Sequence, residues 1–71
     1  MNVKQQLPDD DVVDPFKVWC SERGFSESTG RRLIESGDGP AIVRLSARRI
    51  GVRRKDGRAW LEARTERPQA A

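Results

Sequence analysis

The chain contains no histidine and only one cysteine, Cys20, among its 71 residues. Without histidine it lacks the usual general base, the commonest metal ligand and any Ser/His or Cys/His nucleophile pair. A single thiol closes no internal disulfide and assembles no thiolate metal cluster. Asp9, Asp10 and Asp11 could act as paired carboxylates, but they lie beside Pro8 in an acidic segment without the apolar surroundings that build a pocket. The expectation is therefore a protein that is not an enzyme and holds neither metal nor cofactor. Long apolar runs are missing too: none approaches the roughly 20 residues that cross a bilayer. The first residues lack the basic and apolar regions of a signal peptide, so no membrane partner and a cytoplasmic location are expected. No internal repeat or low-complexity tract is visible.

What is present is charge. Apolar and charged residues each make up 35% of the chain. A domain of this size buries roughly 60% of its unfolded surface, which allows one thin core and no second one. The net charge of +3 conceals an asymmetry. Residues 1–14 carry one basic and four acidic side chains, a net of −3, and residues 15–71 carry +6. That excess equals the net charge of residues 44–58 alone, where Arg44, Arg48, Arg49, Arg53, Arg54, Lys55 and Arg58 face only Asp56. Such a patch is what a polyanion would meet.

Residues 1–13 are polar and acidic and read as a disordered arm, and residues 65–71, where Pro68 marks fraying, as a disordered tail. Between them, residues 14–64 form the expected domain. Asp14-Pro15 predicts a helix start, with Phe16, Trp19 and Cys20 on one face and Gly24 as the stop. Ser26 is the next candidate cap, Phe25 can staple the helix it opens, and Gly37 supplies a left-handed C-terminal position. On this second helix Gly30, Leu33 and Ile34 form the inner face, while Ser28, Arg32 and Glu35 centre the outer one, flanked by Arg31 and Thr29. Two helices joined by so short a glycine turn suggest a helix-turn-helix. After Gly39-Pro40, the segments 41–45 and 49–53 alternate Val43/Leu45 and Ile50/Val52 with arginines and predict a two-stranded antiparallel β-hairpin with Ser46-Ala47-Arg48 near its tip. A last helix from about Asp56 to Arg64 offers Trp60 and Leu61 to the core.

This order, and the residues Phe25-Ser26-Glu27-Ser28-Thr29, Arg32-Leu33-Ile34-Glu35-Ser36-Gly37, Pro40, Val43-Arg44-Leu45, Arg48-Arg49-Ile50 and Ala59-Trp60-Leu61, resemble the AlpA and excisionase family of small, MerR-like DNA-binding proteins. The resemblance covers roughly residues 15–64. It implies an α+β winged helix-turn-helix of about three helices with a two-stranded hairpin wing. It also implies that the second helix enters the major groove of double-stranded DNA, with Ser26, Ser28, Thr29, Arg31 and Arg32 as contacts, and that Arg48 and Arg49 reach from the wing. Arginine can bond a guanine through two donors, whereas hydroxyls and helix N-terminal amides mainly hold phosphate. The chain departs from the family at Gly30 and Gly57, where apolar residues are usual, and at Ser46-Ala47, where a glycine is.

Proteins of this family serve mobile genetic elements. The implied function is a recombination directionality factor that bends attachment-site DNA, with a tyrosine recombinase as partner and copies associating head to tail along the duplex. An AlpA-like transcriptional regulator of excision genes is the alternative. From another class, a small protein-interaction adaptor or inhibitor would use the basic face against an acidic protein. Plainer readings stand beside these: a solvated basic surface for residues 44–58, the outer face of a surface helix for Ser28 to Arg32, and core positions for Trp19, Cys20 and Trp60. The acidic arm is either plain disorder, an internal competitor for the basic wing or a docking tail for the recombinase.

Overall fold

Phe16, Trp19 and Cys20 are spaced to share one helix face, and in the computed structural model, which describes residues 9–68, all three are buried. The chain runs through a 3-10 turn at Asp9–Asp11, strand β1 (Val13–Pro15) and helices α1 (Phe16–Glu22) and α2 (Glu27–Glu35). Strands β2 (Val43–Arg44) and β3 (Ile50–Arg53) follow, and then helix α3 (Arg54–Arg64). Among the described residues the fold is α+β: three α-helices and a three-stranded antiparallel sheet in the order β1-β3-β2. No helix among the described residues is long and apolar enough to cross a membrane.

The third strand corrects the two-stranded hairpin expected from the sequence. Val13 pairs with Arg53, Asp14 with Val52 and Pro15 with Gly51, so β3 is central and β1 closes its other side. The expected disorder of residues 1–13 fails from Asp9 onward, while residues 1–8 lie outside the described residues. Of the expected disordered tail, residues 65–68 carry no helix or strand and residues 69–71 lie outside the described residues. A three-residue strand is too short to display a period of two, and an acidic, proline-flanked stretch carries the composition of disorder. With Asp14 committed to the sheet, α1 starts one residue later than the Asp14 cap predicts; Pro15 takes the cap position with no side-chain bond. At the other end of the fold, β3 passes into α3 without a loop, two residues earlier than predicted.

The hairpin tip is where the sequence places it: Leu45 N–H donates to Arg49 O at 2.8 Å and Arg49 N–H to Ser46 O at 3.3 Å. Its inward face differs. Arg44 lies opposite Ile50 and Val43 opposite Gly51, so Ile42, not Val43 or Leu45, shares the face of Ile50 and Val52. A slip of one residue exchanges the two faces of a strand. Ile42 accordingly packs on the core, whereas Leu45 is 50% exposed. Leu61, also expected inside, is exposed, and Trp60 supplies α3's ring in the aromatic cluster.

Trp19 is the hub of that cluster. Its ring stacks 6.0 Å from Phe16 and meets Phe25 and Trp60 edge-on at 5.9 and 5.2 Å. This packing accounts for two glycines inside helices, Gly30 and Gly57. A Cβ at Gly30 would overlap Cys20 Sγ and lie 2.9 Å from Phe16 Cζ, and one at Gly57 would lie 2.8 Å from Trp19 Nε1. At both positions neighbouring side chains fill the space that a Cβ would need. Gly24 and Gly37 both adopt positive φ, 89° and 83°, as the ends of α1 and α2 require.

Gly51 tests the added strand. A Cβ there would sit 2.7 Å from the Asp14 carbonyl oxygen, a backbone atom that cannot swing aside. Gly51→Ala should therefore push β1 off β3 at a cost of about 1–3 kcal/mol, as overpacking does. The Arg54 amide, which donates to Val12 O at 2.9 Å, should exchange with solvent markedly faster in the variant. Unchanged exchange and an unchanged urea midpoint would contradict the pairing.

Candidate nucleic-acid interface

Helix α2 forms where Ser26 caps it: the Ser26 hydroxyl accepts the Thr29 amide at 3.1 Å and donates to Thr29 Oγ1 at the same distance. Ser26 is thereby engaged in starting the helix, and Thr29 in the same hydroxyl pair. The inner face follows the prediction, with Gly30 buried and Leu33 and Ile34 half-buried, so Ser28, Thr29, Arg31, Arg32 and Glu35 point outward and are exposed. Ser28 and Arg32 have no side-chain hydrogen bond or ion pair among the described residues.

Arg31 differs from its neighbour. Its Nη2 and Nε both donate to Glu27 Oε2, at 3.1 and 3.3 Å, and its guanidinium lies 5.7 Å from the Phe16 ring. It is oriented along the helix, towards a cleft of about 310 Å³ between the two helices and the β2–β3 hairpin. That cleft is lined by Lys17, Glu27, Arg31, Leu45, Arg48 and Arg49 over a floor that includes Phe16 and Ile50. Three expected contacts, Arg31, Arg48 and Arg49, are brought to one cleft; Ser26, Ser28, Thr29 and Arg32 do not line it. Lys17 is an addition that sequence reasoning missed, because nothing local to α1 signals that the hairpin folds across to meet it.

The seven cations of residues 44–58 divide into two groups. Arg53 pairs with Asp56, Arg54 with Asp9 and Asp14, and Arg58 with Asp9 and Asp10. Arg44, Arg48, Arg49 and Lys55 form no ion pair among the described residues, and Arg44 Nη1 reaches back to Ala47 O at 3.5 Å. Three of these four cations are on the hairpin and one, Lys55, is on α3, so the free charge of this segment lies mainly on the hairpin. The hydrogen bonds from Arg54, then Arg58, hold the Asp9 carboxyl below its usual range, and Asp9 in turn raises Arg54. Burial, reinforced by Glu27, pushes the Cys20 thiol up, which keeps it a neutral core group.

No family model, no curated protein and no solved structure matches this chain.

Proposed function

We propose that the chain is a DNA-binding protein in which α1, the Gly24 turn and α2 act as a helix-turn-helix and the β2–β3 hairpin acts as a wing. One observation carries the reading: Arg31 of α2 lines the same cleft as Lys17 and the hairpin's Arg48 and Arg49, which form no ion pair among the described residues, while Ser28, Thr29 and Arg32 are exposed on the same helix. In this reading Arg32 selects a base, Ser28 and Thr29 hold phosphate, and the hairpin arginines follow the backbone. Within it, the resemblance to excisionases supports a recombination directionality factor that bends attachment-site DNA beside a tyrosine recombinase. A single module covers only about 600–1,000 Å² of DNA, so repeated copies along the site are expected.

A gel shift at rising salt tests the proposal. Log affinity should fall linearly with log salt, and a complex on the cognate site should outlast random competitor DNA. Arg32→Ala should reduce that discrimination by about 1–3 kcal/mol at one base pair. The half-exposed Leu45 on the cleft wall and the Glu27–Arg31 pair favour a second reading, an adaptor for an acidic protein segment. That reading gains if duplex binding is equally weak for all sequences and for the Arg32 variant.

A further inference from the structure

Arg54 and Arg58 stand four residues apart on α3 and so share one face of its first turns. Both reach Asp9: Arg54 Nη1 donates to its Oδ1 and Arg58 Nη1 to its Oδ2, each at 2.9 Å. Arg58 Nη2 also donates to Asp10, and Arg54 Nη2 to Asp14 at 3.4 Å. Two guanidinium forks thus hold three carboxylates from a segment some 40 residues away in sequence. The same planar forks bind phosphate oxygens equally well. All the Asp9 and Asp10 pairs are more than 40% exposed on both sides, so the contact is screened by salt and open to exchange. Because β1 is anchored on β3 only two residues past Asp11, the acidic turn is kept at high local concentration against the arginines.

We propose that Arg54 and Arg58 form a second polyanion-binding site, that Asp9 and Asp10 occupy it in the free chain, and that duplex phosphates displace them. This rests on the DNA reading above. Strand β3 separates the site from the hairpin tip by four residues, about 13 Å at ~3.3 Å each, within the reach of one duplex backbone. The acidic turn then works as an internal competitor: it suppresses binding to random DNA and yields where the α2 and hairpin contacts hold a duplex in place.

The test is the salt dependence of binding to a short random-sequence duplex, read by fluorescence anisotropy on the full chain. Unmasking two arginines should steepen the log–log slope of Asp9→Asn/Asp10→Asn by about 1.8 and add roughly tenfold to its affinity loss between ~50 and ~200 mM salt. Adding Arg58→Gln should remove about half of that gain. Asp10→Asn alone, which leaves Asp9 on both arginines, should give a smaller increase and guards against misfolding of the double variant. Glu66→Gln, a control charge-matched to Asp10→Asn at a residue without an ion pair among the described residues, should leave the slope unchanged. If the acidic-turn variants match Glu66→Gln, the masked site is overturned while the DNA reading stands. If the unaltered chain shows no salt-dependent duplex binding, the DNA reading falls first and this proposal with it.

Discussion

Trp19→Ala should cost the fold a large part of its stability. The indole is 1% exposed and meets Phe16, Phe25 and Trp60, while the Arg23 guanidinium lies 4.9 Å over its ring. Truncating a buried tryptophan costs about 3–5 kcal/mol through the forfeited transfer energy and the cavity left behind. A chain of this length has a total stability on the order of 4–11 kcal/mol, so the loss takes a large part of it. With about 4–8 °C per kcal/mol in a domain this small, the midpoint of thermal unfolding followed by circular dichroism should drop by at least ~12 °C. Val18→Ala, at a 44% exposed position one residue away, should change it little. Equal midpoints for the two variants would mean that the aromatic cluster is not the centre of the fold.

The second large effect is expected on binding. Arg48→Ala/Arg49→Ala removes two of the four cations of residues 44–58 that have no carboxylate partner among the described residues. Removing one phosphate-binding cation should lower the log–log salt slope by about 0.9, so the double variant should have a slope shallower by about 1.8 and bind every sequence more weakly. The contrast with Arg32→Ala is diagnostic, since a base-reading arginine changes the ranking of sequences while backbone arginines change the affinity for all of them. Thermal stability should stay close to that of the unaltered chain, because both side chains are exposed and unpaired among the described residues. A duplex affinity untouched by the double substitution would remove the hairpin from the interface and leave the cleft to a protein ligand.

The parts of this protein that sequence alone determined are those governed by contacts between near neighbours. The Ser26 cap, the left-handed glycines 24 and 37, the inner faces of α1 and α2, and the hairpin tip all depend on backbone geometry within a few residues. Four features were decided only by the tertiary structure: the strand at Val13–Pro15, the inward turn of Ile42 in place of Val43 and Leu45, the meeting of Lys17 with the hairpin arginines, and the capture of Arg54 and Arg58 by Asp9 and Asp10. Each depends on which distant backbone lies alongside. A short strand acquires its register from its partner, and a charge pattern read along the chain does not reveal which carboxylates the fold brings back against it.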